Sequence, residues 1–137
     1  MISDFSNMKV REHPLVVWST IGSSDVVYAE FPEGVRVDLA TAVEIVTSRL
    51  EFMEGKKHYL VTDMTNVREI TPEAKEYMQG PEGGLKNILG AALIASNPVS
   101  SLIANIFVKV RKDFPAKFFT NKQDAFDWIY EHISKCR

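Results

Sequence analysis

The chain is 137 residues long, with 16 basic and 18 acidic side chains and a formal net charge of −2. That length suits one domain with a real core, so residues 1–137 are read as a single domain with 1–7 set apart as a tail. The slight acidity lacks the basic stripe of a nucleic-acid binder, so no nucleic-acid partner is expected. A lone cysteine, Cys136, leaves no disulfide within the chain and fits a reducing, cytoplasmic setting. The opening MISDFSNMKV carries an acid at position 4 and no apolar run, unlike a signal peptide.

In chain order, Met8–Glu12 reads as a strand. Leu15–Trp18 and Val26–Ala29 flank the turn cluster GSSD and read as a hairpin. Phe31-Pro32-Glu33-Gly34 is a further turn. Asp38 suits an N-cap, after which Leu39, Val43, Val46, Leu50 and Met53, with Ala42 beside them, give a helical stripe that Gly55 ends. Lys57–Val61 reads as an inner strand. Thr71, then Pro72 at the first helical position, then Glu73 and Glu76, mark a second helix that Gly80-Pro81 closes. Glu82-Gly83-Gly84 reads as a flexible link to a brief turn around Leu85–Leu89.

From Leu89 to Val108 run twenty residues without a charge, the length of a membrane span. Ser96-Asn97-Pro98 breaks that run. Before it, GAALIA suits a strand buried on both faces. After it, Val99, Leu102, Ile103, Ile106, Phe107 and Val110 share one helical face, so a strand and a helix are expected rather than a span. Lys112–Pro115 is a loop and Lys117–Phe119 a last strand. Thr120 and Gln123 form a capping box for a closing helix that buries Ala125, Phe126, Ile129 and Ile133, with Trp128 on its flank. The order is β-β-β-α-β-α-α-β-α-β-α. It implies an α/β or α+β fold: a mixed sheet with an N-terminal antiparallel hairpin and helices packed on it.

In such sheets ligands gather beyond the carboxyl ends of parallel strands. His58–Thr62 and Ala91–Ala95 would deliver Asp63, Thr65 and Asn66 from one loop and Ser96 and Asn97 from the other, with Ser100 one turn on. If the two strands are adjacent and parallel, these groups meet on one rim, faced by helices starting at Thr71 and Asn97, which would favour an anion there. Each residue also has a plain structural reading: Thr71 and Asn97 as caps, Ser96 as a turn residue, Asp63 as acceptor for loop amides. Ser100, Ser101, Ala104, Asn105 and Val108 give the outer side of the third long helix a small, bland surface. It suits either a second helix of the same domain or an interface with a partner or a second copy.

His13, His58 and His132 have no metal-ligand spacing, Gly80, Gly83 and Gly84 no following GK[ST], and Cys136 no adjacent histidine. The Lys109, Arg111, Lys112 cluster follows from a helix C-terminus. No metal, cofactor or catalytic set is expected, and an enzyme is the least favoured class.

FPEGVRVDLATAVEIV, HYLVTDMTNVREITPEAKEYM, AALIASNPVSSLIANIFVKV and KFFTNKQDAFDWI together resemble the SpoIIAA-like branch of the STAS superfamily (sulphate-transporter and anti-sigma-factor-antagonist domains), over about Val26 to Ile133. The resemblance implies the mixed-sheet fold and a non-enzymatic regulatory module with a protein partner. It also implies a phosphoacceptor at Thr71, which stands where those proteins carry a serine, and a strand-end aspartate at Asp63. Their serine-glycine pair reads Thr71-Pro72 here. CRAL-TRIO-like folds, close in architecture, bind lipids, so the alternative is a small-ligand or lipid-binding domain using the rim near Asp63 and Ser96. A homodimer is compatible with either.

Overall fold

The computed structural model describes residues 9–20, 25–110 and 115–135. The tail 1–7, Met8 of the first strand, most of the GSSD turn, residues 112–114 of the late loop, the basic cluster and Cys136 lie outside the described residues or side chains. Among those described, the chain runs β1 (Lys9–His13), β2 (Val16–Thr20), β3 (Val26–Glu30), β4 (Val35–Val37), α1 (Leu39–Phe52), β5 (His58–Asp63), β6 (Val67–Ile70), α2 (Pro72–Met78), β7 (Ile88–Ile94), α3 (Pro98–Val110), β8 (Ala116–Phe119) and α4 (Lys122–Lys135).

Six strands form one mixed sheet in the order β1-β2-β3-β5-β7-β8. The first three pair antiparallel, and β3, β5, β7 and β8 run parallel. Both edges carry charge, with Arg11 and Glu12 on β1 and Lys117 on β8, which discourages further pairing. Alternation along each inner strand feeds two cores. Val27, Ala29, Ala91 and Leu93 meet α1, α2 and α3 on one face. Val26, Tyr28, Tyr59, Val61, Ala92 and Ile94 meet α4 alone on the other. The charge-free run from Leu89 to Val108 thus divides into β7 and α3, and no helix among the described residues is long and apolar enough to cross a membrane.

Several expectations are corrected. The sequence reading missed β4 and β6, which pair in parallel as a separate two-stranded ladder. The segment around Leu85 is the expected turn, but it ends earlier, and Ile88 and Leu89 already belong to β7. Gly83 and Gly84 are not a flexible link. Both are buried, and a Cβ on either would run into the backbone carbonyl of Tyr77 or Met78 at the end of α2. The stripe of α1 is rotated: Leu39 and Val43 are exposed, whereas Ala42, Ile45, Val46, Arg49 and Phe52 face inward with Met53 after them. Trp18 Nε1 donates to Ser48 Oγ at 2.6 Å and ties this helix to the sheet.

The inward face of α3 is also rotated, with Ile103 and Phe107 of the expected stripe still turned to the core. Ser100 and Ala104 are 0% exposed, and Ile103 lies beside them, whereas Val99 and Leu102 are 53% and 67% exposed. Small residues let the helix sit close to the sheet, and that close fit outweighs the larger stripe. The cap of α4 falls one residue later than the proposed box. Asn121 Oδ1, not Thr120, accepts from the amide of Asp124 at 2.9 Å, and Gln123 bonds Asp127 instead.

Candidate functional site

β5 and β7 are adjacent and parallel, with Asp63 opposite Ile94, so their carboxyl ends open on the same rim. The backbone carries the first link, from the Met64 amide to the Ile94 carbonyl at 2.7 Å. Side chains add the rest. Thr65 Oγ1 and Ser96 Oγ lie 3.3 Å apart. Asn97 Nδ2 donates to the Thr65 carbonyl at 2.7 Å, while its Oδ1 accepts from both the amide and the hydroxyl of Ser100, each at 2.9 Å. One asparagine therefore caps α3 and clamps the two loops together.

Asp63 Oδ1 accepts from the Thr65 amide at 3.0 Å and shapes the loop. Its carboxylate also stands in register with Glu30 on β3. Tyr28 donates its hydroxyl to Glu30 at 3.0 Å. Burial first, then Glu30 and Asp63, push that phenol far above its ordinary range, so it stays protonated. Asn66 turns to the neighbouring loop, where its Nδ2 donates to the Phe31 carbonyl at 2.9 Å and its own carbonyl accepts from Gly34 and Val35. Glu33, Gly34, Arg68, Pro98 and Val99 join Thr65, Asn66 and Asn97 around a groove of about 390 Å³.

The rim thus unites Asp63, Thr65, Ser96, Asn97 and Ser100, with Asn66 at its border. It does not take in Thr71. The four residues of β6 intervene, about 13 Å of strand at ~3.3 Å per residue. Thr71 caps α2 by accepting from the Ala74 amide at 3.2 Å, and its own amide donates to Val37 on β4. The second helix start expected at the rim belongs instead to the β4–β6 ladder. Of the proposed interface residues, Ala104 lies in the core of the chain itself, and Val108 packs against it. Asn105 donates back to the Ser101 carbonyl at 3.0 Å, and both remain half-buried.

A second place on this face of the sheet escaped the sequence reading. Between the sheet and α1, a cavity of about 110 Å³ is lined by Trp18, Ala29, Ile45, Leu60 and Leu93, with Arg49 and Gln79 among them. Arg49 is 1% exposed. Its Nη1 and Nη2 donate to the carbonyls of Gly84 and Lys86 at 3.2 and 2.6 Å, and its Nε has no partner among the described residues. Burial brings the guanidinium down to a pKa of about 10, still cationic at neutral pH. The signal was present in the spacing: 42, 45, 46, 49, 52 and 53 make an unbroken helical face with one arginine in it.

The architecture has a known counterpart. An uncharacterised protein of the DUF3478 family from Shewanella loihica PV-4, described as having a SpoIIAA-like fold, is similar to this chain with a TM-score of 0.53 and 14% identity, over 88% of this chain and 90% of the other. The fold is SpoIIAA-like. The chain belongs to the family of the domain of unknown function DUF7793, whose model matches residues 20–133. No curated protein matches it.

Proposed function

We propose that the protein is a non-enzymatic interaction module that docks a protein partner on the rim and the outer side of α3, with Thr71 as a phosphoacceptor whose charge tunes binding. The observation that carries this reading is the orientation of α3. Its large apolar residues Val99 and Leu102 stand 53% and 67% exposed, beside a polar rim already cross-linked by hydrogen bonds. Apolar anchors next to preorganised polar groups are the composition of an interface core and its border. The SpoIIAA-like fold supports the regulatory side of the reading by analogy. Thr71 supports it by position, half-exposed at the first turn of a helix.

The test is an affinity capture from native lysate with three baits: wild type, Val99→Asp/Leu102→Asp and Thr71→Glu. Both substitutions on α3 fall on exposed positions, so the melting temperature should hold. A partner kept by wild type and lost by both variants supports the module and its switch. A partner kept by all three overturns the docking surface. Sedimentation velocity identifies the case in which that partner is a second copy, because the α3 variant then becomes monomeric.

A further inference from the structure

We propose that the cavity between the sheet and α1 is a binding site for a small carboxylate with a short branched or linear apolar tail, held by Arg49. This site is separate from the surface on α3 and does not depend on it.

Arg49 is a buried cation without a counter-ion among the described residues. Taking a guanidinium out of water is costly unless it is paired and its donors are satisfied. Holding the turn after α2 accounts for Nη1 and Nη2, through the carbonyls of Gly84 and Lys86. It leaves Nε and the charge itself unaccounted for. A second buried donor without an acceptor among the described residues, Gln79 Nε2, belongs to a residue lining the same space. Two unsatisfied donors and one uncompensated positive charge call for an anionic acceptor. Apart from Thr62 and Gly84, the rest of the lining is aliphatic, aromatic or thioether, so the remainder of the ligand is apolar.

Size narrows the class. A dry cavity of about 150 Å³ takes a molecule the size of benzene. The 110 Å³ here is smaller but opens to the surface, and takes about five to six non-hydrogen atoms, the range of propionate to isobutyrate. A carboxylate carries the one negative charge that a single guanidinium balances. Half-buried Gln79, Leu85 and Phe107 lie where the lining meets the surface and mark the way in.

The experiment is isothermal titration and thermal shift of the full chain with sodium isobutyrate, its neutral isostere isobutyramide, and inorganic phosphate. Isobutyrate should bind and raise the melting temperature, and the other two should not. Arg49→Met keeps the volume of the stem and should weaken isobutyrate by about 10-fold or more, the worth of one charge-assisted hydrogen bond. If that variant does not fold, Ala91→Leu provides the check: it fills the cavity, leaves Arg49 in place and should abolish binding. Val99→Asp/Leu102→Asp should bind isobutyrate like wild type, whatever happens to the partner surface. Equal binding of isobutyrate and isobutyramide, no binding of isobutyrate, or undiminished binding by Ala91→Leu would each overturn the assignment.

Discussion

His58 shows how much one side chain can carry. It is 0% exposed, and its Nδ1 faces the Lys56 carbonyl at 2.8 Å, so Nδ1 holds the proton and the ring is the neutral tautomer. Nε2 is buried without a partner among the described residues. Burial above all, reinforced by the positive charge of Arg49, pulls the imidazole down to a pKa of about 4, against an ordinary value of 6.5. Above pH 6.5 neither the folded nor the unfolded chain binds this proton, and the contribution is complete. Between 6.5 and 4 the unfolded chain binds it and the fold does not, so stability falls as pH falls, by up to about 3 kcal/mol. Thermal melts from pH 7.5 to 4.5 should show that loss, and His58→Asn, which keeps a donor toward Lys56, should flatten it. None of this was legible in the sequence, where His58 is one of three scattered histidines. Its burial is set by the β5–β7 pairing, a contact thirty residues away along the chain.

At the scale of the element, α3 is the instructive case. Its limits follow from Asn97 and Pro98, and both were legible because capping is local chemistry. Its orientation was not. Hydrophobic periodicity selects the face with the largest side chains, but a helix crossing a sheet closely selects the face with the smallest. Ser100 and Ala104 let α3 approach, and Val99 and Leu102 are left outside. The same limit applies to α1, where a charged residue inside the stripe disguised the true face. Asn97 separates the two functions of the α3 start. Asn97→Ala should cost about 1–2 kcal/mol through the lost cap. Asn97→Asp keeps an acceptor for the Ser100 amide but removes the donor to the Thr65 carbonyl. It should hold α3 and loosen the rim, which amide hydrogen exchange resolves as intact protection in α3 and faster exchange at Met64 and Thr65.

Over the whole molecule, the class of fold and the order of its major elements were legible, because alternation, caps and Gly-Pro breaks are written locally. The β4–β6 ladder was not, since three- and four-residue strands have too little periodicity to stand out and exist only through each other. That ladder has a consequence for the regulatory reading. Val37 sits opposite Ile70 in parallel register, so the residues that follow, Asp38 and Thr71, leave the ladder side by side. Each is the cap of its helix, Asp38 for α1 and Thr71 for α2. A negative group on Thr71 would therefore meet a carboxylate that already serves the neighbouring helix, and the two starts would strain together. Thr71→Glu should lower the melting temperature, and Asp38→Asn, which retains a capping oxygen, should act as its suppressor. The double variant should be more stable than the sum of the single effects, and simple additivity in that cycle would mean the two caps are electrically deaf to each other. That two-stranded ladder would then be the wire by which a modification on one helix is felt by the other.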